Sequence, residues 1–182
     1  MPITGQGWEM LITREVEQDR DGYRRTVGRY QVYRDGVAQL GRDMKGETAE
    51  SYGPGANRPA GNGLRIEAGR YPLSTQNGEH YVTFGYRESN DPTKFPHPGV
   101  ELNSTGERTE ILLHPGYGFL ASVGCINPCT YLPYAEEDIT FTSSRRRVIA
   151  LIANMRGYCG EAFPETNGER IPNAFIVIDG EP

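Results

Sequence analysis

Long apolar runs, histidine and cysteine are all scarce in this chain. Its 182 residues are 36% hydrophobic and include three histidines and three cysteines. No apolar stretch approaches the roughly 18 residues that cross a bilayer, and the first residues lack the basic and then apolar pattern of a secretory signal. We therefore expect no membrane span, and no export signal is visible.

Basic residues are also few. The chain carries 19 Lys and Arg against 24 Asp and Glu, for a formal net charge of -5. Nucleic-acid binding normally needs a clustered basic surface, so we expect no nucleic-acid partner. The one basic run, Arg145-Arg146-Arg147, is interpreted as the solvated start of a helix.

Glycine, proline and tyrosine are plentiful instead. There are 23 glycines, 13 prolines and 11 tyrosines, a composition that favours many short strands joined by tight turns over long helices. A chain of this length can bury the core of one domain. We predict that residues 1–182 form a single, mostly β domain.

Short-range signals place the first strands and turns. Residues 8–14 alternate in part, as a first strand does, and Asp35-Gly36 is a two-residue hairpin signal. Residues 45–63 are rich in Gly, Pro, Asn and Ser and predict a long loop, which either is mobile or forms one wall of a substrate groove. Residues 71–74 and 81–86 are predicted to pair around an Asn-Gly turn.

One helix and one buried strand are predicted near the end of the chain. Apolar residues at i, i+3, i+4 and i+7 spacing predict a packed helix over residues 145–156. Thr142-Ser143-Ser144 are the expected cap. Residues 175–178 are wholly apolar and predict a buried final strand.

The stretch from His114 to Asn127 joins a histidine to a cysteine through a glycine-rich turn. The apolar residues 111–113 bring the chain to His114 as a short buried strand. Cys125 follows Gly124, where backbone N–H groups can face a developing oxyanion. A nearby imidazolium can lower a cysteine pKa from about 8.5 to about 3.5–7.5. The pattern predicts Cys125 as a nucleophile and His114 as its base.

The run Ser122-Val123-Gly124-Cys125-Ile126-Asn127 resembles the signature of L,D-transpeptidase catalytic domains. That signature is Ser or Thr, His, Gly, Cys, a hydrophobic residue, then Asn or Arg, with a histidine upstream, and five of its six positions match. Val123 stands where the family usually has a histidine. Seven residues separate His114 from Ser122, where the family commonly has a longer loop. The chain is thus similar to a compact, divergent branch.

The likeness extends over residues 26–127. Residues 66–73 resemble the Thr-Pro-x-Gly-x-Tyr segment that precedes the catalytic region of such domains. The same layout is also similar to uncharacterised phage and prophage proteins, which have no assigned chemistry. The resemblance implies an L,D-transpeptidase-like β-sandwich or meander with one packed C-terminal helix, and no cofactor.

The resemblance also implies roles for individual residues. In that family the cysteine attacks a peptidoglycan stem peptide, the upstream histidine is its base, and backbone amides near the cysteine form the oxyanion hole. Carried over, these roles fall to Cys125, His114 and the Gly124 segment. Ser122 and Asn127 are expected to shape the site, or to serve only as turn residues.

Three further residues are candidates for substrate binding: His97, Tyr117 and Phe119. His97 lies in a His-Pro-Gly setting like that of His114 and is the alternative base. The two aromatic residues either line a substrate groove or pack in the core. His80 is interpreted as a surface residue.

The other two cysteines leave alternatives open. Cys129 and Cys159 are either reduced thiols or a disulfide, and an extracytoplasmic site of action would favour the disulfide. A zinc set of Cys125, Cys129 and Cys159 with His114 or His97 is the weaker alternative, because a second close-set ligand pair is missing.

The expected function is cysteine-dependent acyl transfer on peptidoglycan stem peptides, as an L,D-carboxypeptidase more than an L,D-transpeptidase. The short loop before the cysteine leaves water to compete with an acceptor. Such a protein would act in the periplasm or cell wall, as a phage protein or as an antibacterial effector with a secretion-system or immunity partner. The alternative is a non-catalytic phage or secretion-apparatus module with a structural or wall-binding role, in the cytoplasm or the virion.

Overall fold

Strands dominate the computed structural model, which describes residues 2–182. In chain order the elements are β1 (Trp8–Arg20), β2 (Tyr23–Arg34), β3 (Val37–Ala38), β4 (Lys45–Ser51), β5 (Gly69–Thr75), β6 (Tyr81–Val82), β7 (His97–Pro98), β8 (Val100–Leu102), β9 (Ile111–Leu113), β10 (Asn127–Cys129), the helix α1 (Phe141–Cys159), a 3-10 turn (Gly160–Ala162) and β11 (Arg170–Asp179). No helix within residues 2–182 is both long and apolar enough to cross a bilayer.

Nine of the strands form one sheet. Its order is β10-β4-β2-β1-β11-β5-β8-β9, and β3 extends the hairpin with β2. Every pair in it is antiparallel except β1 with β11. The strands β6 and β7 form a separate parallel pair.

The two edges of this sheet almost meet, at a place that we call the seam. Ile126, just before β10, forms a parallel bridge with Leu113 at the end of β9. The Ile126 N–H donates to the Leu112 carbonyl at 2.8 Å, and the His114 N–H donates to the Ile126 carbonyl at 3.1 Å. The sheet therefore closes on itself through a few hydrogen bonds at the predicted site.

The core lies between the sheet and the helix. Alternate apolar side chains in the first part of β1, namely Trp8, Met10 and Ile12, are buried, as expected for a strand with one face on a core. The apolar stripe of α1 packs into the same cluster, which includes Val148 and Leu151. Burial of such side chains contributes about 1.5–3 kcal/mol each.

The predicted fold class is confirmed in its coarse features. The protein is mostly β, its helix is packed near the end of the chain, and the hairpin at Asp35-Gly36 joins β2 to β3. Residues 8–14 and 175–178 both lie in strands, each longer than predicted. The arrangement is one nearly closed sheet with the separate two-stranded pair β6-β7, whereas a sandwich or meander was expected.

The predicted loop over residues 45–63 is wrong in its first part, which is the strand β4. This strand lacks apolar alternation because one of its buried side chains is charged. The Glu50 carboxylate accepts two hydrogen bonds from the Arg14 guanidinium on β1, at 2.8 and 3.0 Å, and both side chains are fully buried. A buried ion pair thus replaces the apolar pattern that identifies most strands.

The predicted pairing of residues 71–74 with 81–86 is also wrong. The strand β5 pairs with β11 and β8 instead. Only an isolated bridge from Asn77 to Val82 remains of the expected hairpin. Long-range strand pairing has overridden the local turn signal, and the turn instead places residues 76–81 beside the seam.

The helix begins earlier than predicted, at Phe141. The capping residue is Thr140, which makes no side-chain cap bond, and the expected cap residues lie inside the helix. The basic run is not a solvated helix start either. Arg145 and Arg147 are 8% and 4% exposed, and Arg147 donates to the Tyr30 hydroxyl at 2.7 Å.

Candidate active site

The seam brings Cys125 and His114 to one cavity. His114 directly follows β9, and the hydrogen bonds of Ile126 to β9 hold Cys125 alongside that strand. The cavity has a volume of about 370 Å³. Its lining residues are Gln76, Gly78, Glu79, His80, Tyr81, Glu110, Leu112, His114, Ser122 and Cys125.

The imidazole of His114 is held in one orientation. The ring is buried at 2% exposure, and its Nδ1 lies 2.8 Å from the Pro115 carbonyl oxygen. A carbonyl only accepts, so Nδ1 carries the proton and the lone pair of the neutral ring lies on Nε2. The Tyr81 ring packs on the imidazole, with centroids 4.2 Å apart. Burial lowers the pKa of His114 to about 4, so the ring is neutral near pH 7.

The thiol of Cys125 is partly exposed in the cavity. Its Sγ accepts the Leu112 N–H at 3.3 Å and donates to the Glu110 carbonyl at 3.6 Å. Burial raises the pKa of the Cys125 thiol and the Glu110 carboxylate adds to this, whereas the Leu112 N–H and Arg108 act in the opposite direction.

The expectation of a thiol pKa lowered by an imidazolium is therefore wrong for this conformation. Burial disfavours the charged forms of both groups, so the resting pair is a neutral thiol and a neutral imidazole. Any attack by Cys125 would therefore need a base that removes the thiol proton.

The backbone conformation at position 124 requires glycine, but the Gly124 N–H already has a hydrogen-bond partner. Its φ is +92°, and a Cβ at this position would collide with the Arg108 guanidinium. Its N–H donates to Ser51 Oγ at 2.8 Å, so this amide does not serve as an oxyanion donor here. The Leu112 N–H, which is directed at Sγ, is a backbone donor that the sequence did not reveal.

Ser122 and Asn127 lie with His114 as expected for residues that shape a site. The Ser122 hydroxyl donates to Asn127 Oδ1 at 3.1 Å, and Asn127 Nδ2 donates to the His114 carbonyl at 3.0 Å. Asn127 is fully buried. This chain of hydrogen bonds fixes the loop that precedes the cysteine to the backbone at His114.

His97, Tyr117 and Phe119 do not line this cavity. The His97 ring packs between Phe95 and Phe141, with centroids 4.6 and 4.9 Å away, so of these two histidines only His114 lines the cavity with Cys125. Tyr117 is 56% exposed.

Phe119 is drawn away from the cavity by the loop that carries it. Gly118 pairs with Ile139 through two backbone hydrogen bonds of 3.1 and 2.8 Å. The Phe119 ring lies under the guanidinium of Arg25, 4.4 Å from its centroid. Its role is therefore packing, the alternative that the sequence left open.

The other two cysteines lie in separate surroundings. All three cysteines are free thiols, so the disulfide is contradicted. Cys129 is buried in a small apolar cluster with Val27 and Leu132, and Cys159 Sγ donates to the Pro172 carbonyl at 3.4 Å. No group of three metal-ligating side chains is found within residues 2–182, which also contradicts the zinc alternative.

Sequence reasoning missed four other residues that line the cavity, namely Gln76, Glu79, Tyr81 and Glu110. Their only signal was the Asn-Gly turn at residues 77–78, which was interpreted as a hairpin. His80 is exposed, as predicted, but it lies on the rim of the same cavity.

No protein-family model, curated protein or solved structure matches this chain. The geometry alone gives a thiol beside a cavity, an oriented neutral imidazole that lines the same cavity, and a backbone N–H directed at the sulfur. A thiol and a neutral imidazole are two of the groups that an acyl-transfer reaction on a carbonyl compound uses.

Proposed function

We propose that this protein catalyses cysteine-dependent acyl transfer on peptidoglycan stem peptides, chiefly as an L,D-carboxypeptidase. One observation carries the proposal: Cys125 and His114 line the same cavity. The likeness of residues 122–127 to the L,D-transpeptidase signature supplies the substrate class. The place of action would then be the periplasm or the cell wall.

The proposed reaction begins with the neutral pair. His114 Nε2 takes the thiol proton as Sγ attacks the carbonyl carbon before the terminal D-residue, and the carbonyl electron pair moves onto oxygen. The C–N bond then breaks, and the imidazolium returns a proton to the leaving amine. Water, deprotonated by the same ring, cleaves the thioester, which restores the thiol and releases a shortened peptide.

The loop between His114 and Ser122 supports hydrolysis over exchange. Its middle is tied to Ile139 through Gly118, and the Gly116 N–H donates to Ser144 Oγ at 2.9 Å. These bonds hold the loop away from the cavity, so it does not enclose a second stem peptide. Water therefore competes well for the thioester.

The test is to incubate tetrapeptide muropeptides with the protein and excess D-amino acid. We expect tripeptide as the main product and turnover reduced at least about 10³-fold by Cys125→Ala. Cys159→Ala is the matched control, because it removes a partly exposed thiol outside the cavity. Predominant exchange would overturn the carboxypeptidase assignment and leave the nucleophile standing.

A second candidate is a non-catalytic structural or wall-binding module. It is favoured by the raised pKa of Cys125 and the lowered pKa of His114, which leave no thiolate poised in the resting state. Sedimentation with purified sacculi tests it. Binding that is equal for the wild type and Cys125→Ala, with no product from any muropeptide, would establish this second function.

A further inference from the structure

The cavity beside Cys125 holds a buried polar side chain that the proposed reaction does not use. Gln76 is 6% exposed and lines the cavity. Its N–H and carbonyl are both bonded to Thr83. Its carboxamide, in contrast, has no hydrogen bond to another residue in the described range 2–182. Because the carboxamide lines the cavity and is bonded to no other residue, a ligand that supplies a donor and an acceptor can pair with both of its polar atoms there.

Negative charge dominates the same cavity. Glu79 and Glu110 line it, and neither lysine nor arginine does. Both carboxylates are exposed and have no ion-pair partner within the described residues. Glu110 is anchored beside the nucleophile, because its carbonyl accepts from Cys125 Sγ. Its φ is +55°, a strained conformation for a residue with a side chain, of the kind that clusters at functional sites.

We propose that Gln76, Glu79 and Glu110 form the acyl-donor subsite, and that this subsite selects a peptide with a side-chain ammonium group and no side-chain carboxylate. The Gln76 carboxamide pairs with a peptide group of the donor, and the two carboxylates attract the ammonium group. A carboxylate on the donor side chain would face two like charges, which is costly. The inference rests on the proposed function, because it takes Cys125 as the nucleophile.

A donor of this kind also activates the sulfur. The Glu110 carboxylate contributes to the raised pKa of the Cys125 thiol, and an ammonium group beside it offsets that charge. Arg108 and Tyr81 interact with the same thiol, and His114 lines the cavity with it, but none of these groups changes when the donor arrives. A donor peptide with an ammonium group thus favours deprotonation of Cys125 and the attack of the sulfur on that same peptide.

The experiment measures how well two peptides protect Cys125 from iodoacetamide, with labelling sites assigned by mass spectrometry. The probes are N-acetyl-L-lysyl-D-alanine and N-acetyl-L-norleucyl-D-alanine, which differ in the ammonium group. We expect the lysyl peptide to protect at about fivefold lower concentration, as for a partly exposed ion pair. Glu110→Gln should bring this ratio toward one, whereas Glu107→Gln, a matched charge change on the same loop outside the cavity, should preserve it.

A second variant tests the carboxamide. Gln76→Met keeps the length of the side chain and the backbone bonds to Thr83, so it should weaken protection by both peptides equally. Equal protection by the two peptides in the wild type would overturn the inference, as would no protection by either. The proposed function is judged separately. Turnover of muropeptides without a preference for the ammonium group would overturn the proposed subsite and leave the proposed activity standing. Protection of Cys125 without any turnover would overturn the proposed activity alone.

Discussion

His114 links the chemistry of the site to the stability of the fold. Its pKa is lowered from 6.5 to about 4 by burial, so between these values the unfolded chain binds a proton that the folded protein does not. Stability is therefore full above pH 6.5 and falls as the pH drops toward 4. The shift corresponds to about 3 kcal/mol.

The prediction is that the free energy of unfolding decreases by about 3 kcal/mol more in the wild type than in His114→Gln between pH 6.5 and 4. Urea titrations at a series of pH values measure it. Thr142→Ala, at an exposed position, changes no titratable group and should keep the wild-type slope. Parallel curves for the wild type and His114→Gln would show that the imidazole is not buried in its neutral form.

At the residue scale, the sequence identified the reactive side chains better than it predicted the environment of each side chain. The spacing around Cys125 and His114 predicted two groups that do line one cavity, because a strand end and a glycine turn are local features. The pKa of the Cys125 thiol was predicted in the wrong direction, and the lowered pKa of His114 was not predicted at all. They depend on burial by segments distant in the sequence, such as Tyr81, which no local pattern shows.

Among the elements, β4 depends on one buried ion pair. The Glu50 carboxylate holds Arg14 through two hydrogen bonds, and both side chains are fully buried. Glu50→Gln leaves the buried Arg14 guanidinium with one carboxylate, that of the partly exposed Glu181 at 3.1 Å, and loss of a partner from a buried pair costs up to about 3–5 kcal/mol. We expect Glu50→Gln to lower the free energy of unfolding by this amount.

Chemical denaturation of a pair of variants checks the prediction. Glu15→Gln breaks the exposed pair with Arg29, whose N–O distance is 3.0 Å, and should cost less than about 1 kcal/mol. A similar small effect of Glu50→Gln would contradict the assignment of β4 as a strand held by its buried charge.

The helix α1 positions the site through Ser144. This fully buried hydroxyl accepts the Gly116 N–H at 2.9 Å and donates to the Pro128 carbonyl at 2.6 Å. It therefore ties together the two segments that flank the cysteine loop. Ser144→Ala leaves a buried N–H and carbonyl unpaired, and we expect a loss of about 1–3 kcal/mol in unfolding free energy.

Hydrogen exchange separates this role from general helix stability. In Ser144→Ala the amide of Gly116 should exchange faster, whereas in Thr142→Ala, at an exposed position of the same helix, it should not. Equal exchange at Gly116 in both variants would rule out the positioning role. The sequence suggested Ser144 only as a cap, because its partners lie on other segments.

Prediction at the scale of elements succeeded where periodicity was strong and failed where pairing was distant. The apolar stripe of α1 and the apolar end of β11 were evident from spacing alone. The partners of β5 were not, because β8 and β11 lie about 30 and 100 residues away in the chain and no turn signal connects them. The seam was invisible for a further reason: it consists of backbone hydrogen bonds.

For the whole molecule, the three free thiols carry a prediction about redox state. Cys129 lies in an apolar cluster and Cys159 beside Pro172, so no disulfide contributes to the fold. We expect the mass of the non-reduced protein to correspond to three thiols, and the unfolding midpoint to be the same with and without a reductant. A midpoint lowered by the reductant would indicate that the protein matures with a bridge.

The seam has a consequence for how the sulfur reports on the protein. The backbone bonds that close the sheet also enclose Cys125, and this enclosure raises the pKa of the thiol. A brief opening of those bonds would expose a more acidic and faster-reacting thiol while separating it from His114. Slow labelling by a thiol reagent can therefore report how often the seam opens rather than how reactive the enclosed thiol is. A preparation that labels fast would then be one in which the seam is largely open.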